Sequence, residues 1–432
     1  MVLRRDRDGI GGGWVLAAIL VALTLVSPRA SARVYTLDEC VELALSNNVT
    51  LAQARESVAS GRASRLSSWS GVLPRISGSV GYSDDLAVSP GIETSSDGYS
   101  GSVGLSQTVF DGSTFAGISG SGHELSATEH SFEATRRSAV LDAKRGYYGL
   151  LKARQLRGVQ EESLELAREQ LRKTQSLFDL GSASKSDLLK AQVQVGQSEL
   201  ALISADKSAE SARAALCYAL GVDILTDIEP VDPLEGEGEE EILEFDLAEA
   251  IARRPDVMAG EERLTAARRS LLSAKAGRWP DLNLSVSYSR SQDSFGDLFD
   301  DMSDEYSRRV GLSLSVPIFN GLATKASIDG GKAALRSSEL SLRDTRLAAA
   351  YEIETARLSV LEQKRSVAVA ETAVEQAEED LRMSEERYRL RAASMLELID
   401  ARVAYSSARA SLVEARYDYE IAKAELKNAL GY

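Results

Sequence analysis

The sequence predicts a mainly α chain with some β: a duplicated unit of long coiled-coil helical hairpins carrying four strands. Three observations lead there. A turn recurs 210 residues apart, as Phe178-Asp179-Leu180-Gly181-Ser182-Ala183-Ser184-Lys185-Ser186-Asp187-Leu188-Leu189 and as Tyr388-Arg389-Leu390-Arg391-Ala392-Ala393-Ser394-Met395-Leu396-Glu397-Leu398-Ile399, and the same offset relates Ala219-Leu220-Gly221 to Ala429-Leu430-Gly431. Each turn joins two stretches whose apolar residues keep a 3–4 spacing for many turns. Finally, four short segments alternate apolar with small polar residues at period 2.

The 432 residues contain 50 Lys and Arg against 65 Asp and Glu, a formal charge of -15. Only 6% are aromatic and 8 are Pro, a composition suited to long helices. Arg4, Arg5 and Arg7 precede an apolar run from Trp14 to Val26 and an Ala30-Ser31-Ala32 site, the pattern of a secretory signal peptide over residues 1–32. Cleavage after Ala32 would remove four Arg and two Asp and leave a charge of -17, which argues against nucleic acid as a partner. Cys40 and Cys217 lie on different helical stretches and read as small apolar fillers. No other run approaches the ~18–20 apolar residues of a transmembrane helix, so strands would have to make any membrane contact.

The first repeat spans 33–221. Leu37, Val41 and Leu45 share a helix face, and a second helix ends before Pro74. A strand hairpin follows over about 75–111: Ile76, Gly78, Val80 and Tyr82 alternate with serines and glycine, and Tyr99, Gly101, Val103 and Leu105 do so more weakly. Asp84 to Gly98 reads as a wet loop. From about 113 to 220 a helical hairpin runs to the tip turn and back, its outgoing arm nearly seventy residues or roughly 100 Å long. Its return arm carries Leu188, Ala191, Val195 and so on to Leu216. Residues 222–242, with the acidic run from Glu235 to Glu241, read as a linker. The second repeat, 243–432, has helices to Pro280, a strand hairpin over about 281–319 and a helical hairpin over about 321–430. Its loop from Gln292 to Glu305 is strongly acidic and reads as a solvated face, since it lacks the ligand spacing of a calcium loop.

The alternating strands would suit a soluble sandwich or a membrane barrel, and serine and glycine on the second face suit a water-filled lumen. Four strands cannot close a barrel, because about eight is the practical minimum. An open sheet in lipid would leave edge amides unpaired. If these strands meet lipid, several chains must share one barrel.

In this order of parts the chain resembles the TolC family of outer-membrane channel-tunnels of Gram-negative bacteria. The resemblance rests on the helix-Pro-strand junctions, the strand exits Val109-Phe110-Asp111-Gly112 and Val316-Pro317-Ile318-Phe319-Asn320-Gly321, and the Ala-Leu-Gly endings. It implies a homotrimer with a 12-stranded outer-membrane β-barrel and a 12-helix periplasmic α-barrel. It further implies a passive exit duct for efflux or type I secretion, working with a periplasmic adaptor and an inner-membrane transporter of RND or ABC type. By position, Glu397 and Asp400 match the acidic pair ringing the pore constriction, Tyr388 the tyrosine of the closed tip, and Ser186-Asp187 its hydroxyl–acid partner. Ala393 stands where the lock arginine is expected, with Arg389 and Arg391 nearby. The tip turns, Leu180, Gly181, Ser182, Ala183, Ser184 and Leu390, Ala392, Ala393, Ser394, would meet the adaptor. Acids in a first helical turn also suit the helix dipole, with no pore involved.

No enzyme motif emerges: HExxH, GxSxG and CxxC are absent, and His123 and His130, the only histidines, read as exposed helix residues. Neither a cofactor nor a metal site is expected. A periplasmic coiled-coil adaptor or scaffold is the competing reading, but it has no use for serine-lined strands.

Overall fold

The computed structural model describes residues 33–89, 92–232, 244–300 and 306–432. The expected signal peptide and the run Glu235–Glu241 lie outside these, as do Asp301, Asp304 and Glu305 of the acidic loop.

The chain opens with β1 (Arg33–Tyr35), α1 (Leu37–Asn47) and α2 (Val49–Trp69). Thr36 and Glu39 form a capping box on α1, and the Asn48 side chain accepts from the Leu51 amide at 3.1 Å to start α2. The antiparallel strands β2 (Arg75–Ser89) and β3 (Ile92–Phe110) follow. Asp111 then caps α3 (Gly112–Asp179), accepting from the amides and hydroxyls of Ser113 and Thr114. Burial opposes its charge, yet these donors hold its carboxyl below the ordinary 3.8. The cap therefore contributes stability above about pH 4 that is lost as the carboxylate protonates on acidification. Beyond the tip, α4 (Lys185–Leu220) returns and β4 (Ile228–Pro230) pairs in parallel with β1.

The pattern then recurs as α5 (Leu247–Arg253), α6 (Pro255–Ala276), β5 (Asp281–Gln292), β6 (Tyr306–Ser315), α7 (Ala323–Arg389) and α8 (Met395–Ala429). Helix α3 packs on α2, α4, α6 and α8, and α7 on α6 and α8. Cross-arm ion pairs such as Arg168–Glu199 (2.8 Å) and Arg416–Glu371 (3.0 Å) lie half-exposed along the hairpins. At that exposure each contributes less than about 1 kcal/mol and serves mainly to fix register.

The main core sits where both hairpins meet the β1–β4 pair. Tyr147, Leu150, Leu216, Leu220 and Ile228 are buried there with Cys40 and Cys217. The two cysteines, far apart in sequence, thus share one core as free thiols. Burial, then the Glu39 and Cys217 charges, push the Cys40 thiol up to about 11. The first part of the expected linker is ordered. The Tyr147 hydroxyl donates to the carbonyl of Val231 at 2.5 Å, and that of Tyr417 to Asp232 at 2.6 Å. Gly221 closes this region with φ +69°, and a Cβ there would lie 2.3 Å from the Asn47 carbonyl oxygen. Gly221→Ala combines a left-handed conformation with that clash and is expected to cost about 2 kcal/mol or more. Thermal unfolding followed by circular dichroism checks this; an unchanged midpoint would contradict it.

The sheet order is β2-β3-β5-β6, antiparallel throughout. Ile76, Gly78 and Val80 lie opposite Leu105, Val103 and Gly101, while Leu284 and Val286 face Leu312 and Val310. Serines and glycines dominate the other face, which also carries Arg75, Asp281, Asn283 and Arg309. The loop expected over Asp84–Gly98 is instead a continuation of the hairpin, whose ladder runs from Asp84↔Asp97 out to Ser89↔Ile92. Its polarity signalled water, but ladder bonds are made by backbone and form in water-facing strands too. The β5–β6 connection does leave the ladder after Gln292, and Leu298 tucks against Gly101. Tyr82 and Tyr99 pair at 5.0 Å, Tyr288 and Tyr306 at 5.7 Å. These tyrosines form two aromatic pairs toward the end of the apolar face remote from the helices.

Candidate pore constriction at the hairpin tips

Both tips are built alike. Helix α3 ends with Leu180 as cap and Gly181 at φ +72°; the Ser182 amide reaches back to the Leu177 carbonyl at 2.7 Å and the Gly181 amide to that of Phe178 at 2.8 Å. This is the Schellman arrangement. At the second tip Leu390 is the cap, and the Ala392 and Arg391 amides bond the carbonyls of Arg387 (2.8 Å) and Tyr388 (3.0 Å). Arg391 therefore occupies the left-handed position that glycine holds in the first copy, at φ +60°. That conformation costs a non-glycine residue about 1 kcal/mol or more. Arg391→Gly is expected to stabilise the second tip by about that amount, read as slower hydrogen exchange of the 387–396 amides. Faster exchange would overturn the account.

The return helices start on serine caps. Ser184 and Asp187 form a capping box, with the Ser184 hydroxyl donating to Asp187 at 2.7 Å, and Ser394 and Glu397 form the equivalent box. Glu397 also lies 3.4 Å from the Arg387 guanidinium. Arg389 pairs with Glu386 one turn back. Asp400 is exposed and, among the described residues, its side chain has neither an ion-pair nor a hydrogen-bond partner, and the same holds for the side chains of Ser186 and Arg391.

The structure thus sorts the residues singled out from the sequence. Glu397, Arg387 and Ser394 are brought together, whereas Asp187 bonds its own cap and makes no hydrogen bond to Tyr388, which is half-buried on α7. Leu180 and Leu390, at 78% and 73% exposure, project as apolar knuckles from the two turns. Sequence reasoning missed Arg387, although its place in the last turn of a helix facing an acid is a readable signal. It also missed the contacts between hairpins. Gln170 donates to Met395 Sδ at 3.6 Å, Arg402 reaches the Leu166 carbonyl at 3.0 Å, and Arg409 pairs with Glu162. A narrow cavity beside them is lined by Ala167, Gln170, Ala191, Leu398 and Arg402. His123 was misread as well: its Nδ1 lies 2.7 Å from Glu262 in a half-buried contact between α3 and α6. No cluster with metal-ligand character occurs among the described residues.

The family model for outer membrane efflux proteins matches residues 40–222 and 247–432, which together cover most of the chain. The chain belongs to the outer membrane efflux protein family. Among its relatives is the outer membrane efflux protein BepC of Brucella suis, 23% identical over 427 residues, covering 96% of this chain and 90% of that one. The outer membrane protein TolC of Vibrio cholerae is 22% identical over 372 residues, covering 84% and 83%. Of solved structures, the Campylobacter jejuni CmeC outer membrane channel superposes with a TM-score of 0.86 at 20% identity, over 91% of this chain and 85% of that one. The fold is that of a TolC-type channel, and this efflux family protein sits in the outer membrane with its helices extending into the periplasm. Within one chain the β-domain is an open sheet.

Proposed function

We propose that the protein is the trimeric exit duct of an efflux or type I secretion system. The observation that supports it most is the state of the sheet. Its edge strands are β2 and β6, each unpaired on its outer side, beneath an apolar face with Val310 at 73% exposure and Ile76 at 72%. In lipid such edges cost several kcal/mol per unpaired group. Strand directions alternate across the sheet, so β6 of one chain can meet β2 of the next in antiparallel fashion. Three copies then close twelve strands, and the paired hairpins beneath supply twelve helices. Energy comes from elsewhere, as nothing in the sequence resembles a nucleotide site. The exposed knuckles Leu180 and Leu390, with Gly181 to Ser184 and Ala392 to Ser394 around them, offer the adaptor a small apolar contact. An RND or ABC transporter of the inner membrane would drive export.

Glu397 and Asp400 ring the constriction in this reading and draw cations to it. Tyr388, Ser186, Asp187, Arg389 and Arg391 lie around the gate, but the inter-hairpin ties through Arg402 and Arg409 take a larger part in holding it shut. Planar-bilayer recording of detergent-extracted protein tests the duct. A cation-preferring conductance from a trimer is expected, and a monomer without conductance would leave the scaffold reading.

A further inference from the structure

We propose that Arg309, one copy from each protomer, forms a cationic ring inside the β-barrel that binds anions in transit. The inference rests on the trimeric-duct reading, since one chain supplies only one of the three arginines.

The strand register places the residue. Val310 and Leu312 lie on the apolar face opposite Val286 and Leu284, so Arg309 belongs to the other face, with Gly311 and Ser313. Lipid takes the apolar face, and Arg309 therefore points into the lumen. It lies in the half of β6 remote from the helices, at the fourth position from the Tyr306 end. Its ladder row contains Ser287, Gly104 and Ser77, small residues that bring no countercharge. Arg309 is exposed and has no ion-pair or hydrogen-bond partner among the described residues. Its neighbour Arg308 is also exposed, but it is on the apolar face and lies over the Tyr306 ring, 4.5 Å from the centroid. The other charged residues that alternation turns to the lumen within the described strand side chains, Arg75 and Asp281, stand at the helix ends of their strands.

Size decides whether three such charges matter. Twelve strands about 4.8 Å apart and tilted about 40° give a backbone radius of roughly 12 Å. An extended arginine covers about half of that, so the pore axis lies about 6 Å from each guanidinium, inside the Debye length of ~8–10 Å at physiological salt. An ion at this level cannot pass beyond the reach of the ring. The ligand class is inorganic or organic anions, preferentially polyvalent ones. Phosphate-bearing groups fit best, because guanidinium pairs with them in a bidentate fashion.

The test uses purified full-length trimer in planar bilayers under a potassium chloride gradient, with inorganic tripolyphosphate added on the barrel side. Arg309→Ser is expected to shift the reversal potential further toward cation selectivity and to weaken tripolyphosphate block about tenfold. Arg309→Lys should keep most of the selectivity and part of the block, and Arg308→Ser should leave both as in the wild type. Unaltered reversal potential and block in Arg309→Ser, with unit conductance preserved, would overturn the ring while leaving the duct intact. A wild-type protein with no conductance would instead remove the duct, and the ring with it.

Discussion

Leu312→Arg is expected to abolish the membrane-embedded trimer. Leu312 is 66% exposed on the apolar face of β6, directly opposite Leu284. An arginine at the midplane of a barrel's lipid face costs about 2–4 kcal/mol, and three copies cost about 6–12 kcal/mol. That equals most of the stability a folded protein has, about 5–15 kcal/mol. Ser313→Arg, one residue along, adds the same charge and bulk to the lumenal face, where water solvates it. The contrast is read by heat-modifiable migration of unboiled membrane fractions. The trimer band should vanish for Leu312→Arg and persist for Ser313→Arg. Equal behaviour of the two would mean that the faces are assigned wrongly.

At the opposite end, Asp400→Ala is expected to relieve block by a trivalent cation about tenfold, and Glu397→Ala by less. Both acids are exposed, but Asp400 has no partner among the described residues, whereas Glu397 is shared between Arg387 and the Ser394 cap. A carboxylate already facing a guanidinium presents less net field to the pore. Removing Glu397 also removes half of a capping box and costs the start of α8 about 1 kcal/mol. Glu397→Ala should therefore make the tip more mobile while Asp400→Ala leaves it firm. Hydrogen exchange over residues 394–404, set beside bilayer block, separates the two. Greater relief from Glu397→Ala would reverse their proposed ranking.

Much of the fold was legible because its signals are periodic. A 3–4 stripe sustained over dozens of residues has few structural interpretations, and alternation over Leu282–Tyr288 or Val310–Val316 identifies a sheet with two unlike faces. The duplicated turn showed where the arms reverse. Signals that depend on partners remote in sequence were lost. Nothing near Cys40 announces Cys217, and nothing near His123 announces Glu262, because those contacts exist only once α1 lies on α4 and α3 on α6. Asp84–Gly98 misled for a different reason, since polarity reports solvent contact and strand pairing does not require its absence. At the tip, residue types were readable but their commitments were not. Asp187 and Glu397 can each serve a cap or a lock, and the cap is reached within three residues whereas a lock needs another helix.

The two strand hairpins differ in height, and that has an outward consequence. About 9–11 tilted residues cross a bilayer, which β5 and β6 match with 12 and 10. The β2 and β3 strands have 15 and 19 residues, with a ladder that persists to Ser89↔Ile92. In the proposed trimer the surplus stands clear of the membrane as three spikes on the cell surface. An antibody, a bacteriophage or an external protease would meet the spikes before anything else of the protein, so selection by such agents should fall on this hairpin while the barrel below it and the tunnel stay sheltered.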